Sequence, residues 1–175
     1  MKKVLLYSGG LDSELYRFLL KPEILLYIDY GGKYTNLELD QINSNTYRKD
    51  EKLVIDRSFN FGESERDDHI VPMRNLYFIL KAFEYADIVV IGVTYYDLHR
   101  DKANDALMSL KNMVGNYFMP IDKPTTWEKS YPTLSALYRD STKGELLTLC
   151  LEQGADPKFF QNLRTCYSAT SKKGC

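Results

Sequence analysis

The junction between an apolar run and a helical segment near the start of the chain constrains the fold more than any other feature. Residues 4–6 are apolar and predict a short buried strand, and residues 14–20 predict a helix. The Ser-Gly-Gly turn between them would place unpaired backbone N–H groups at a helix N-terminus, where phosphate binds readily. Gly9 and Gly10 can adopt positive φ angles and let the backbone approach an anion closely. The junction therefore predicts a phosphate site.

Polar side chains beside the two glycines strengthen this interpretation. Ser8 and Ser13 add hydroxyl donors, and Asp12 places a carboxylate where bound phosphates would repel it unless Mg²⁺ lies between them. The turn is not a Walker A loop, because no Gly-Lys-Ser/Thr follows at the required offset. An ordinary tight turn would explain the glycines but not the flanking serines and aspartate.

Apolar runs alternate with helical patterns along the rest of the chain. Such alternation is typical of a single α/β domain with one doubly wound, mainly parallel sheet and right-handed crossovers. The predicted strands cover residues 4–6, 24–28, 52–55 and 88–92, with residues 117–119 as a candidate fifth strand. The predicted helices cover residues 14–20, 34–47, 72–85, 101–115 and 142–153, the last with Thr142 as N-cap, Glu145 in a capping box and Gly154 as its stop. Residues 120–131 are expected to form a loop, and residues 155–175 a short irregular tail.

Three loops follow predicted strands, and we expect them to meet. They comprise residues 8–13, 29–33 and 92–101. In open parallel sheets, ligands bind beyond the carboxyl ends of the strands, at the point where the strand order reverses. The three loops are therefore expected to share one site.

Composition sets bounds on partners and location. The 175 residues are 44% hydrophobic and 27% charged, as in one globular domain, and the net charge of −1 gives no indication of a direct nucleic-acid partner. No run reaches the roughly 18 apolar residues of a membrane span, and the N-terminus has no signal-peptide pattern. We therefore expect a cytoplasmic protein without a membrane partner. Its three cysteines all fall late in the chain, which argues against a disulfide framework and leaves metal binding or free thiols.

Residues 8–13 resemble the SGGxDS signature of the PP-loop ATP pyrophosphatase superfamily, whose fold is of the adenine nucleotide alpha-hydrolase type. Within this superfamily, the chain resembles the 7-cyano-7-deazaguanine synthase (QueC) family over almost its whole length. The family segments occur in order as Asp29-Tyr30-Gly31, Val71-Pro72-Met73-Arg74-Asn75, Ile91-Gly92-Val93 with Asp97, Thr142-Lys143-Gly144-Glu145 and Thr165-Cys166-Tyr167.

The resemblance implies an ATP-dependent carbon–nitrogen ligase. Such an enzyme converts 7-carboxy-7-deazaguanine and ammonia to 7-cyano-7-deazaguanine through an adenylate and an amide, for queuosine-type base biosynthesis or nucleic-acid modification. Adenylation suits this chemistry, because hydroxide is a poor leaving group from a carboxylate and AMP is a good one. The implied cofactors are ATP and Mg²⁺, and the related enzymes suggest a homodimer.

The resemblance also assigns roles to residues of the three loops and of the segment that contains Pro72. The implied ATP-binding residues are Tyr7, Ser8, Gly9, Gly10, Leu11, Asp12, Ser13, Asp29, Tyr30, Gly31 and Gly92. The implied catalytic residues are Asp12, Ser13, Lys33 and Arg74, and the implied substrate-binding residues are Arg74, Asn75, Asp97 and Asp101.

Four of these residues have a structural alternative. Arg74 suits a phosphate or carboxylate, since a guanidinium binds such oxygens bidentately, but it could pair with an acidic surface residue instead. Lys33 could be a solvated side chain. Asp97 could cap the helix that follows, and Asp29 could orient the glycine loop without touching a ligand.

The C-terminal tail departs from the family pattern. The family carries four zinc-binding cysteines there, and Cys166 and Cys175 match the first two before the given sequence ends. Two thiolates do not complete a tetrahedral zinc site. Three outcomes are open: Zn²⁺ binds with borrowed ligands such as Cys150, a histidine or a neighbouring chain; the metal has been lost; or the natural protein continues.

The segment after Asp97 is also shorter than in the family, so the substrate or the extent of reaction could differ. A reduced member could stop at the 7-amido product or adenylate another acceptor. A tRNA-thiolating PP-loop enzyme is disfavoured, because it requires catalytic cysteines near the active loops and a basic RNA-binding face. A non-catalytic nucleotide-binding module is a third hypothesis, and turnover of ATP to AMP distinguishes it from the enzymes.

Overall fold

A sheet of parallel strands forms the centre of the computed structural model, which describes residues 1–66, 71, 73–95, 104–118, 133–161 and 163. The strands are β1 (Lys3–Leu6), β2 (Ile24–Ile28), β3 (Lys52–Asp56), β4 (Ile88–Val90) and β5 (Thr133–Ser135). The helices are α1 (Leu11–Leu20), α2 (Thr35–Ser44), α3 (Arg74–Ala82), α4 (Asn104–Phe118), α5 (Lys143–Glu152) and α6 (Pro157–Phe160), and Gly62–Ser64 forms a 3₁₀ turn. Among the described residues, no helix is both long enough and apolar enough to cross a membrane.

The strand order is β3-β2-β1-β4-β5, and every adjacent pair is parallel. Val4 of β1 lies opposite Ile24 of β2 on one side and opposite Val89 of β4 on the other. The chain thus builds outward from β1 to β3, then crosses to the other side of β1 with β4. The order reverses between β1 and β4, so the loops after these two strands flank the crevice where α/β proteins bind ligands.

Helices cover both faces of the sheet, because successive side chains of a strand point to opposite faces. On one face, Leu5 of β1 packs in a cluster with Leu15 of α1 and Leu146 of α5. On the other face, Val4 packs in a cluster with Ile79 of α3. All five side chains are at most 1% exposed. The chain therefore has an α/β fold with a core on each side of a parallel sheet, as the alternating pattern predicted.

The local signals at the ends of α5 are confirmed. The Thr142 hydroxyl accepts a hydrogen bond from the Glu145 N–H at 3.2 Å, and the Glu145 carboxylate accepts one from the Thr142 N–H at 2.7 Å. This reciprocal capping box satisfies two N–H groups that would otherwise lack partners. Gly154 follows the helix with a φ of +88°, the left-handed conformation typical of a helix stop.

Two predictions about the second half of the chain were wrong. Tyr117 and Phe118 belong to the last turn of α4, which runs past Gly115, and the fifth strand is Thr133–Ser135. That strand is only three residues long and buries only Leu134, so no apolar run marks it in the sequence. The expected irregular tail also contains a helix, α6, whose N-cap Asp156 accepts a hydrogen bond from the Lys158 N–H at 2.9 Å. The predicted loop at residues 120–131 lies outside the described residues.

Candidate functional site

The glycine loop at residues 8–10 leads from β1 directly into α1. Gly9 has a φ of +74°, and a Cβ added there would lie 3.0 Å from Ile42 Cγ1 and 3.3 Å from Gln41 Cγ. Gly10 is the N-cap of α1, and its carbonyl accepts the Glu14 N–H at 3.0 Å. The turn therefore requires glycine at position 9 for its backbone conformation and for its close approach to α2.

The N-terminus of α1 offers hydrogen-bond donors at the reversal point of the sheet. The first N–H groups of a helix have no intrahelical partner, and the N-cap residue Gly10 makes no side-chain hydrogen bond to those of α1. Ser13 is buried, and its hydroxyl donates to the Gly10 carbonyl at 2.9 Å, so it shapes the turn. Ser8 is half-buried, and Leu11 begins the helix and packs against the core. This end of α1 suits an anion through its N–H groups and its dipole.

An ion pair lies at the N-terminus of α1. Lys143 Nζ, from the first residue of α5, lies 2.9 Å from Asp12 Oδ2, and the side chains are 40% and 33% exposed. The other oxygen, Asp12 Oδ1, is buried without a hydrogen-bond partner among the described residues. A carboxylate oxygen left in this state suits a cation or a further donor. Sequence reasoning noted Lys143 only as part of a family segment, and its pairing with Asp12 could not be read from the sequence because α5 follows α1 at a long distance along the chain.

The backbone that follows β4 lies against the N-terminal part of α1. A Cβ added to Gly92 would lie 3.8 Å from the Tyr16 ring and 3.9 Å from the Asp12 carbonyl oxygen, which is ordinary contact. Tyr16 is fully buried, and its hydroxyl donates to the Val93 carbonyl at 2.6 Å. The structure thus brings together the loops after β1 and β4, as expected. Asp97 and Asp101 lie outside the described residues, and their substrate-binding role stays a prediction.

The loop after β2 forms a second cluster, which includes Arg74. Tyr30 is 6% exposed, and its hydroxyl accepts a hydrogen bond from Arg74 Nη1 at 3.2 Å. The Arg74 guanidinium also lies 5.7 Å from the centre of the Tyr30 ring. Burial raises the pKa of Tyr30, and the Arg74 charge opposes the rise. Asn75, the next residue of α3, is buried. Arg74 therefore contacts a residue of the predicted site.

Aromatic side chains surround Tyr30 and hold this second cluster together. The Tyr30 ring stacks on Phe61 at 5.3 Å, and Phe59 lies 4.5 Å from Tyr77. We call Tyr30, Phe59, Phe61, Tyr77 and Phe78 the aromatic cluster. It joins the loop after β2, the loop after β3 and helix α3, so the position of Arg74 depends on packing between three elements.

Asp29 and Lys33 also belong to the loop after β2. The Asp29 carboxylate accepts the Gly31 N–H at 3.2 Å and pairs with Arg57 Nε at 3.0 Å. Asp29 thus organises its own loop rather than the glycine loop. Lys33 is exposed, and its Nζ lies 5.8 Å from the centre of the Tyr34 ring. The catalytic role of Lys33 and the ligand-binding role of Asp29 stay predictions.

A buried polar group lies beneath the glycine loop, and sequence reasoning missed it. We call Tyr7, Glu14, Arg17, Asn45 and Glu51 the loop anchor. The Tyr7 hydroxyl donates to Glu14 Oε1, and Arg17 Nη1 donates to both oxygens of Glu14 at 3.0 and 2.9 Å. Arg17 also pairs with Glu51, and the side chains of these three charged residues are at most 5% exposed. In the sequence, these charges look like the solvated face of a helix, because the partners come from three separate segments.

Burial governs the ionisation of the loop anchor. Burial raises the pKa of Glu14, and the Arg17 charge opposes that rise. Burial lowers the pKa of Arg17, but the hydrogen bonds and charges of Glu51 and Glu14 outweigh it and leave the pKa raised. The pKa of Tyr7 is raised by burial and by the adjacent Glu14. Each charge therefore depends on the others, which makes the group a rigid base for the loop.

The described residues contain no group of three or more side chains that could hold a metal ion. Cys150 is buried in the core, where its thiol lies 3.9 Å from the Leu15 carbonyl oxygen and burial raises its pKa to about 11. A protonated core thiol is a poor zinc ligand, which disfavours Cys150 as a borrowed ligand. Cys166 and Cys175 lie outside the described residues, and zinc binding there stays a prediction.

The arrangement can bind an anion at the start of α1, with Lys143 and Asp12 beside it and Arg74 in a neighbouring cluster. A scan of the chain against protein-family models gives no match, and a search of curated proteins also finds no matching sequence.

Proposed function

We propose that this chain is a doubly wound PP-loop enzyme that uses ATP to activate the carboxylate of 7-carboxy-7-deazaguanine for attack by ammonia. One observation carries the proposal. The uncapped N-terminus of α1, the Asp12–Lys143 ion pair and Gly92 converge where the strand order reverses. Ligands of open α/β sheets bind at this point, and phosphate is the ligand that a glycine turn before a helix favours.

The residues at this point divide the binding of ATP among them. The first N–H groups of α1 would hold phosphate oxygens, and Lys143 would supply a positive charge beside them. Asp12 would hold Mg²⁺, because its Oδ1 lacks a partner among the described residues and carboxylate oxygens suit that ion. When bound, Mg²⁺ neutralises charge on the phosphates. Ser13 supports the turn through its hydrogen bond to the Gly10 carbonyl.

The proposed reaction forms a nitrile in two activations. A carboxylate oxygen attacks the α-phosphorus of ATP, and the bond to pyrophosphate breaks. Ammonia attacks the acyl carbon, loses a proton and displaces AMP, which gives the 7-amido product. The amide oxygen then attacks a second ATP with loss of pyrophosphate, and departure of AMP with the remaining N–H protons forms the nitrile. The protein contributes position and charge at each step.

Arg74 is the candidate residue for binding the carboxylate of the substrate. Its guanidinium is held by the Tyr30 hydroxyl through Nη1, and one Arg side chain has five N–H donors, so its hydrogen bond within the described part of the chain leaves donors for a ligand. Arg74 begins α3, and the loop after β2 lies beside the glycine loop because β2 pairs with β1. A bidentate guanidinium would orient the carboxylate for adenylation.

The test is mass spectrometry of the protein incubated with ATP, Mg²⁺, ammonium and 7-carboxy-7-deazaguanine. We expect the nitrile together with AMP and pyrophosphate, and no turnover by Asp12→Asn under the same conditions. Amide alone would show that the second activation is missing. AMP without a changed deazaguanine would indicate another acceptor. If no AMP forms under any condition, the proposed enzymatic activity is refuted and the chain is a non-catalytic nucleotide-binding module.

A further inference from the structure

Asn45 stands out in the loop anchor because, among the described residues, it is the member whose side chain hydrogen-bonds to the backbone of the glycine loop. Asn45 is the C-cap of α2, and its Nδ2 donates to the Gly9 carbonyl at 3.3 Å. The same nitrogen also lies within hydrogen-bond distance of the Tyr7 hydroxyl at 2.7 Å and of Glu14 Oε1 at 2.8 Å, so its two hydrogens are shared among three acceptors. One amide thus joins the end of β1, the glycine loop and the first turn of α1.

The orientation of the Asn45 amide is determined by its surroundings. Its Oδ1 accepts a hydrogen bond from Gln41 Nε2 at 2.9 Å, while its Nδ2 faces three acceptors. A flipped amide would place Oδ1 against the buried carboxylate of Glu14, which is unfavourable. The donor side of Asn45 must therefore face Gly9.

This contact fixes the direction of the Gly9–Gly10 peptide. In a trans peptide, the C=O and N–H groups point in opposite directions. Because the Gly9 carbonyl points toward Asn45 and α2, the Gly10 N–H points away from α2. Gly9 has no side chain and a φ of +74°, so its own conformation does not prevent this peptide from rotating.

We propose that Asn45 is a positioning residue that locks the Gly9–Gly10 peptide with its N–H directed outward, where it completes the phosphate site. The inference rests on the proposed function, since it assigns the phosphate to that site. Without Asn45, the peptide rotates between two orientations, and one of them presents the Gly9 carbonyl, rather than the Gly10 N–H, to the phosphate. A carbonyl in that place repels the anion.

The first arm of the test needs no ligand. Amide ¹H–¹⁵N NMR spectra of the full chain are compared for the native protein and Asn45→Ala. We expect the Gly9 and Gly10 signals to broaden or double in the variant, while the Val4 and Leu15 amides keep their positions. Unchanged Gly9 and Gly10 signals would overturn the proposal whether or not the protein binds ATP.

The second arm titrates inorganic pyrophosphate with Mg²⁺ while the Gly10 and Leu11 amides are followed. We expect these signals to shift in the native protein, and the dissociation constant to rise roughly tenfold in Asn45→Ala, the effect of losing one hydrogen bond to a charged group. If pyrophosphate leaves both amides of the native protein unmoved, the proposed function fails at its phosphate site. The first arm still decides the role of Asn45.

Two further variants separate positioning from stability. Gln41→Met removes the donor that orients the Asn45 amide. The methionine still fills the space beside Gly9, and Asn45 still contacts the Glu14 carboxylate. This variant therefore replaces Asn45→Ala if that protein does not fold. We expect Gln41→Met to broaden the Gly9 and Gly10 signals and to weaken pyrophosphate binding, in both cases less than Asn45→Ala does. Tyr85→Phe removes a hydrogen bond to the buried Asp56 at the end of β3, outside the loop anchor, and should lower stability while the Gly9 and Gly10 signals stay sharp. Equal broadening in Tyr85→Phe would show that general loosening is responsible.

Discussion

The loop anchor and the aromatic cluster hold neighbouring loops at the same edge of the sheet by different means. The loop anchor uses charges that are almost completely buried, with Arg17 between Glu14 and Glu51. The aromatic cluster uses ring packing, and the ion pair beside it is less buried, since the side chains of Arg57 and Asp29 are 63% and 15% exposed. The difference indicates that the glycine loop is held by directional contacts, whereas the loop after β2 relies more on non-directional packing.

The largest effect should come from removing the charge at the centre of the loop anchor. Arg17→Met leaves Glu14 and Glu51 buried without their counter-ion, and we expect a loss of about 3–5 kcal/mol in the free energy of unfolding. Arg57→Met breaks an ion pair whose arginine side chain is 63% exposed, and should cost less than about 1 kcal/mol. Urea denaturation measures both. Similar losses in the two variants would remove the distinction between the regions.

The next effect concerns the space around the glycine loop. Gly9→Ala combines a positive φ with a Cβ only 3.0 Å from Ile42 Cγ1, and should destabilise the protein by about 2–4 kcal/mol. Gly154→Ala is the matched control, since its φ is +88° but its Cβ meets nothing within 4 Å, and it should cost about 1 kcal/mol. Equal costs in denaturation experiments would mean that α2 yields to the extra methyl group. Pyrophosphate binding should weaken in Gly9→Ala alone.

Low pH should reduce the stability of the protein through Asp56, which ends β3 beside the aromatic cluster. Burial works against ionisation of Asp56, but hydrogen bonds from Ser58 and Tyr85 and the charge of Lys81 outweigh it and lower the pKa to about 2. Because an unfolded aspartate has a pKa of about 3.9, ionised Asp56 favours folding by about 2 kcal/mol above pH ~4. This contribution is lost as the pH falls toward about 2.

The measurement is denaturation of the native protein and Asp56→Asn between pH 7 and pH 2. The native protein should lose stability over the acid range through Asp56, and the variant should start less stable and lose less. Tyr85→Phe should fall between them, because it removes one donor to the carboxylate at 2.5 Å. Parallel pH profiles for all three proteins would show that Asp56 does not set the acid sensitivity.

The smallest effect on stability should come from Lys143. Its ion pair with Asp12 is partly exposed, so Lys143→Met should change the free energy of unfolding by less than about 1 kcal/mol. Loss of its charge at the proposed phosphate site should nevertheless weaken MgATP binding roughly tenfold in calorimetry. Lys158→Met, at an exposed position in α6, is the control and should bind MgATP normally. Equal affinity in both variants would remove Lys143 from the proposed site.

Much of the fold and part of the site could be predicted because the signals are local. The apolar runs of β1 and β2, the glycine turn before α1 and the capping box of α5 each lie within a few consecutive residues. Their chemistry depends on backbone conformation and side-chain period, which neighbouring residues determine. The approach of the loops after β1 and β4 also followed, because carboxyl ends of parallel strands lie at one edge.

The rest was decided by tertiary structure alone. Strand β5 forms because Leu134 packs in the cluster beside β4, and its three residues carry no pattern of their own. Glu14, Arg17 and Glu51 become a buried group only when α1 meets the segment before β3, and Asn45 reaches Gly9 only because α2 ends beneath the loop. Lys143 meets Asp12 because α5 packs against α1. Partners from separate segments leave no periodicity in a sequence, since their contact depends on how the elements pack and not on the order of the residues.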